Sequence, residues 1–253
     1  MRTVRSSIRQ AFFSGEFLIG LIGVTAVVFL SRFSDLMEAF RLGKGLPNAF
    51  HQSFIADAAV SDAMNLALPV LAALPFTASL VNDLNSGFIR YYLHRTDRKS
   101  YLAGRCAACG LSGGAVLVLG IAVSYLISAA VFIPMEDPAA KEAAEGTFYA
   151  DLMKRMVLVF LSGAFWSLCG LALSAVTRSR YMAYASPFIL CYVLVILHER
   201  YFDKVHVLYP KEWIDPSPAW MLGEGGVVLL LSGLIAAAGT VFCFAAGRRL
   251  SQL

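Results

Sequence analysis

Gly110-Leu111-Ser112-Gly113 sets a serine between glycines, a pattern that can present a nucleophile for acyl transfer. Such a serine needs a histidine within hydrogen-bond reach to take its proton. The four histidines are His51, His94, His198 and His206, and of these His198 alone adjoins a long apolar segment. It stands at the opposite end of its segment from Ser112, a depth of about 20 Å away. Gly110 and Gly114 also make a GxxxG surface suited to close helix contact in lipid. Packing is therefore the expected role of these glycines, and an intramembrane serine protease is the remote alternative.

Other chemistry-bearing groups are weaker. His198, Glu199, Asp203 and His206, three of them spaced near helical turns, could in principle hold a metal, but a polar segment beside a membrane contains such residues by chance, and no metal site is expected. Cys106 and Cys109 form a CxxC without a second pair, and all five cysteines lie in or at the edge of apolar segments, so small packing residues are expected and no disulfide framework. Gly43-Lys44-Gly45 lacks the spacing and hydroxyl of a phosphate-binding loop. No Gly-x4-Gly-Lys-Ser/Thr occurs anywhere, so if ATP drives this protein the ATPase is another chain.

The stretch that stands out is Asn82–Arg105. It carries Arg90, Arg95, Arg98, Lys99 and Arg105 against Asp83 and Asp97, in a chain that is 58% hydrophobic and 15% charged. Soluble domains are about 45–50% apolar and about 25% charged, so the composition is that of a membrane protein. Six segments have about the 20 apolar residues needed to cross a hydrocarbon core. They are Phe13–Ser31, Asp62–Leu80, Cys106–Ile133, Leu152–Val176, Tyr181–Leu197 and Gly226–Ala246. The third is long enough to tilt or extend past the membrane. The first follows Arg2, Arg5 and Arg9 as a signal peptide would, but SRFSDLMEAF follows it instead of a small-residue cleavage site, so a retained span is expected.

Twelve of the 21 Lys and Arg fall in the N-terminus, Asn82–Arg105, Thr177–Arg180 and the tail Arg248–Arg249. Fourteen of the 17 Asp and Glu fall in the alternate loops. Both termini and the 82–105 segment are thus expected in the cytoplasm. Anionic lipid suffices as partner for the mild net charge of +4, and no nucleic acid is called for.

The expected fold is an all-α membrane protein, a single domain over residues 1–253. Residues 1–16 are expected to form an amphipathic helix lying on the inner membrane face, with Val4, Ile8, Ala11 and Phe12 on one side. Ser31–Ser61 is an outer loop with room for a short interfacial helix. Span two carries Asn65, Pro69 and Pro75, and span five Ser186 and Pro187. Kinked, slightly polar helices suit either a path or adapted packing, and Asn65, Pro69, Phe76, Ser186 and Pro187 are candidate path-lining residues. Span two is expected to continue to Ser86, with Gly87 as its left-handed cap. Phe88–Leu93 is then a short helix presenting Phe88, Tyr91 and Tyr92 with Arg90 and Arg95, and Thr96 is the N-cap of the next helix, with Asp97 in its first turn. Pro134–Asp151 reads as an acidic, solvated loop. In 198–225, Trp213 and Trp220 are expected as interfacial anchors.

The pattern Asp83-x3-Gly87-x2-Arg90-x2-Leu93-x4-Asp97-Arg98-x2-Tyr101-x3-Arg105 resembles the inner loop of ABC-2-type ABC exporter permeases. There an acidic residue and a glycine follow span two, then a coupling helix, a basic segment and a tyrosine entering span three. Six spans with both termini inside also match, as does HVLYPKEWIDPSPAWMLGEGG before the last span. The chain has Asp83 where the family often has Glu, and His94-Arg95-Thr96 where a proline is common. The resemblance implies a permease without enzymatic activity of its own. It would pair with a second permease copy or paralogue and two ATPase subunits that hold ATP and Mg, and export a hydrophobic or amphipathic drug, lipid or peptide. It makes Asp83, Gly87, Phe88, Arg90, Tyr91, Tyr92, Arg95, Thr96, Arg98 and Tyr101 the ATPase-coupling residues, and implies that the 198–225 loop dips partway into the membrane. The alternative is an accessory or immunity protein that binds a hydrophobic peptide without pumping it. Against ion-coupled carriers, no Asp, Glu, Lys or Arg falls at the centre of any span, and the halves show no repeat.

Overall fold

Serine caps and prolines decide where the apolar segments break. The protein is described here from a computed structural model covering residues 2–43, 45–87, 89, 97–137, 148–202, 205–218, 220 and 223–250. Ten helices are described: α1 Arg2–Phe12, α2 Gly15–Ser31, α3 Phe33–Leu42, α4 Phe50–Val60, α5 Asp62–Ala73, α6 Ser79–Asn85, α7 Arg98–Phe132, α8 Phe148–Thr177, α9 Arg180–Tyr201 and α10 Gly223–Leu250. Among the described residues there is no strand beyond one isolated parallel bridge, Leu46 with Glu136. Helices α7 to α10 are each long and apolar enough to cross a membrane, and the bent pairs α1–α2 and α4–α5 bring the number to as many as six. The all-helical expectation holds, and so does the multi-pass character in this coarser form.

Each bent pair hinges at a serine. Ser14 Oγ accepts from the Phe17 N–H at 3.1 Å and caps α2, and the chain bends by 49° there. Ser61 Oγ accepts from Met64 N–H at 3.2 Å, and α4 meets α5 at 67°. A serine hydroxyl satisfies an otherwise orphaned N–H at the start of each second helix, so the break carries little cost.

Span two is the main correction. Asp62–Leu80 is not one helix running to Ser86: α5 ends at Ala73, a turn follows, and α6 starts at Ser79. Pro75 cannot donate to the helix ladder, which explains the interruption. The carbonyls freed in an apolar setting need partners. Ser174 Oγ of α8 donates to Thr77 O at 3.3 Å, and Gly170 of α8 lets the turn approach: a Cβ there would meet Thr77 Cγ2 at 3.2 Å and Ala183 O at 2.4 Å. Gly87 does take the left-handed conformation, at φ +70. Span three starts earlier than Cys106, at Arg98, and Asp97, not Thr96, occupies the N-cap position.

Small residues set the bundle centre. A Cβ on Gly113 would lie 2.4 Å from Ser167 Cβ, one on Gly114 2.6 Å from Phe160 O, and one on Gly163 2.8 Å from Gly113 O. Thus α7 and α8 touch nearly backbone to backbone. Gly120 meets Val24 and Gly20 meets Val116 in the same way, which packs α2 onto α7. Helix α1 packs along the start of α7, with Ser7 and Ala11 buried, Gly104 against Val4, and Arg5 and Arg9 exposed, so its amphipathic face is a protein contact.

Helix α1, α6, the start of α7, the α8–α9 turn and the end of α10 gather at one end of the bundle, linked by Arg105–Gln10 and Arg249–Val176 bonds. At the far end α3 and α4 make the expected outer loop mostly helical. Residues 205–218 fold over that end as a strap. Trp213 is not an interfacial anchor: it is 2% exposed, stacked on Trp166 at 5.7 Å and edge-on to Phe165 at 5.6 Å. Its indole N–H donates to Val207 O at 2.9 Å, while Lys211–Asp62 (2.7 Å) and Arg155–Asp215 (3.0 Å) tie the strap to α5 and α8.

Candidate functional site

A buried polar cluster joins the end of α6 to the start of α7. Tyr101 and Arg105 stand one turn apart on α7, hence on one face. The Tyr101 hydroxyl donates to Asp83 Oδ2 of α6 at 2.7 Å. Arg105 Nη2 donates to the same oxygen, and Arg105 Nη1 donates to Gln10 Oε1 of α1 at 3.3 Å. The guanidinium sits over the rings of Phe76 (4.9 Å) and Tyr101 (5.4 Å), and its side chain is 4% exposed. A guanidinium this buried requires its counter-charge, so Asp83 fixes Arg105 and with it three elements.

This cluster walls a cavity of about 80 Å³ lined by Gln10, Ser14, Glu16, Phe76, Ser79 and Asn82 among others. Sharing Glu16, Asn82 and Tyr184, an open cleft of about 600 Å³ continues to Asn85, Arg178, Arg180 and Tyr181. Ser79 Oγ and Asn82 Oδ1 are buried without a partner, which marks the cavity wall as unsatisfied polar surface.

Of the residues expected to couple, Asp83 and Tyr101 are brought together, Gly87 shapes the turn, and Arg98 opens α7 exposed to solvent. Phe88, Arg90, Tyr91, Tyr92, Arg95 and Thr96 lie outside the described residues. The five path-lining candidates fall on α5, on the turn after it and on α9. Phe76 lines the cavity under Arg105. Pro69 is buried within α5, where Asn65 Nδ2 donates to Val60 O at 3.2 Å. Ser186 and Pro187 are buried in α9, Pro187 against Gly170.

Glu16, Ser79, Asn82 and Tyr184 were not anticipated. Glu16 offered one signal, as the lone carboxylate beside the first span at this end of the chain. A second unanticipated cluster lies at the far end. Glu136 is not solvated: its side chain is 8% exposed and pairs with His51 Nδ1 at 2.7 Å. It also accepts from the N–H groups of Ala49 (3.2 Å) and His51 (2.9 Å). The carboxylate therefore serves the start of α4 in place of an N-cap side chain.

Ser112 donates to its own helix, to Cys109 O at 3.2 Å, and His198 stacks on Tyr209 of the strap at 4.5 Å. The serine hydroxyl is thus bonded within its own helix, and the histidine ring packs on the strap. The five cysteines are free thiols. No family model matches the chain, and comparison with curated proteins gives no match.

Proposed function

We propose that the chain is the membrane-spanning permease subunit of an ATP-driven exporter, with its termini and the 82–105 hairpin in the cytoplasm. Two ATPase subunits, which carry ATP and Mg, bear on residues 88–96, and a second permease copy or paralogue completes the path. The observation that carries this reading is the Asp83–Tyr101–Arg105 cluster. It supports a hairpin whose limbs cannot slide apart, so that a push on its tip enters α7. That helix has 35 residues, about 52 Å of rod, and just beyond its end Glu136 grips α4. A displacement at the hairpin is in this way delivered to the far end, as a shift between two packings of rigid elements.

The resemblance to ABC-2-type permeases supports the same reading from the Asp83, Gly87, Asp97-Arg98 and Tyr101 positions. The cargo class follows from an apolar bundle without central charges: hydrophobic or amphipathic drugs, lipids or peptides. The test is co-purification from the native membrane, with Tyr91→Ala and Tyr92→Ala as probes. An ATP-binding partner that the double variant loses, while still inserting, is the expected result. A passive peptide-binding or immunity protein brings down no ATPase, and that outcome would sink the proposal.

A further inference from the structure

Charges of both signs line the cleft beside Tyr184. Glu16 on α2 and Arg178 and Arg180 at the α8–α9 turn line the same cleft, and none of the three forms an ion pair among the described residues. Tyr184 of α9 lines both this cleft and the inner cavity, so carboxylate and guanidinium border one space. The inner cavity is rich in acceptors: the Glu16 carboxylate, Asn82 Oδ1 and Ser79 Oγ, with Ser79 itself 9% exposed and its hydroxyl unpartnered. Asp83, on the same wall, is already occupied by Arg105 and Tyr101. Opposite charges that share a cleft but leave a gap complement a ligand carrying both signs. A cation fits the acceptor-lined inner end, and an oxyanion fits the two arginines at the mouth.

We infer that this cleft binds an aminoalkyl phosphoester, with its ammonium against Glu16, Ser79 and Asn82 and its phosphate between Arg178 and Arg180. Buried acceptors left open here gain the donors they lack, and an ammonium supplies three. The phosphoester has two sources, a lipid headgroup or a free small molecule. Exposed Leu18 and Ile19 on α2 and Phe188 on α9 offer apolar surface for acyl chains on the helices that flank the cleft. The inference concerns what the cleft holds and is independent of whether ATP moves anything through it.

The test uses the purified full chain in detergent, with lipid retention read by native mass spectrometry. Dioleoyl phosphatidylethanolamine is retained over dioleoyl phosphatidylglycerol by about ten-fold, equivalent to about 1.4 kcal/mol. Glu16→Gln, which keeps the side chain's shape, abolishes that preference, while Arg178→Ala with Arg180→Ala weakens both lipids. Asn82→Asp adds a carboxylate to the same space and sharpens the preference. Soluble phosphoethanolamine that competes identifies a free phosphoester as a sufficient ligand; failure to compete, with the lipid preference intact, identifies the lipid. Equal retention of the two lipids by the unmodified chain, or a preference unchanged in Glu16→Gln and Asn82→Asp, overturns the inference.

Discussion

Tyr101 and Asp83 lie 18 residues apart in sequence, yet the phenol of one donates to the carboxylate of the other at 2.7 Å. The same oxygen receives Arg105, so one carboxylate holds two groups of α7. The two contacts differ in kind. Tyr101→Phe removes the hydroxyl and its hydrogen bond to Asp83 but no charge, and about 1 kcal/mol of stability is expected to go with it. Asp83→Asn leaves a guanidinium that is 4% exposed without its counter-charge, a loss of about 3–5 kcal/mol. Thermal unfolding of the detergent-solubilised variants separates the two. If Asp83→Asn shifts the midpoint no more than Tyr101→Phe, the ion pair does not hold the hairpin.

Two glycines of the Gly110-Leu111-Ser112-Gly113 stretch should respond oppositely to the same methyl group. A Cβ on Gly110 finds Leu168 at 3.6 Å, ordinary contact, whereas one on Gly113 meets Ser167 Cβ at 2.4 Å and Ala72 O at 2.9 Å. Gly113→Ala must push α7 from α8 and is expected to cost about 1–3 kcal/mol, as overpacked cores do. Gly110→Ala should be neutral or mildly stabilising, since alanine restricts the unfolded chain. Folded yield and unfolding temperature of the pair decide it; equal losses would mean that the helices are not in backbone contact at Gly113.

How far the sequence carried depends on how local each signal was. The helices of 22 to 35 residues were legible because apolar length is a local property. The left-handed Gly87 was legible for the same reason, and so was the amphipathic α1. The break at 74–78 was not, although Pro75 announced a kink: whether proline bends or ends a helix depends on what holds the chain beyond it, and Ser174, which donates to Thr77 O, lies 97 residues away from it. Trp213 looked like an interfacial anchor because its partners Phe165 and Trp166 sit on another helix. Glu136 read as solvated for want of His51, 85 residues earlier. In the site itself, Asp83 and Tyr101 stood in one short motif, and the fold bonds them to each other. The charges of Glu16, Arg178 and Arg180 come from separate elements, and only the fold sets them around one cleft.

The far-end clasp predicts a graded response at Glu136. Glutamine keeps a carbonyl to accept from the N–H groups of Ala49 and His51 but gives up the charge that attracts the His51 ring. Alanine gives up both and leaves buried donors unsatisfied. Glu136→Ala is expected to cost about 3 kcal/mol and Glu136→Gln about half as much. Hydrogen exchange localises the effect: amides 49 and 51 should lose protection in the alanine variant while α8 keeps its own. Protection unchanged at those amides would show that the carboxylate does not cap α4.

Acid should loosen the strap through Glu212. Burial pushes this carboxyl's pKa up, but the Ser217 N–H at 2.7 Å, the Trp220 indole N–H at 3.1 Å and nearby His206 outweigh it, and the net shift is downward from the ordinary 4.5. The carboxylate is therefore the form that the closed strap prefers. A group depressed in the folded state contributes fully above its unfolded value and loses that contribution as pH falls through the folded one. The strap is expected to be closed at neutral pH and to open only below the ordinary value of 4.5. Tryptophan fluorescence between pH 7 and pH 3 reports this directly, because Trp213 leaves its buried stack on Trp166 when the strap lifts. Glu212→Gln should show the opened spectrum's features already at pH 7, and no further change in acid at that step. An acid transition of the same size in Glu212→Gln would assign the effect to another group, with the Asp62–Lys211 and Asp215–Arg155 pairs next to be tested.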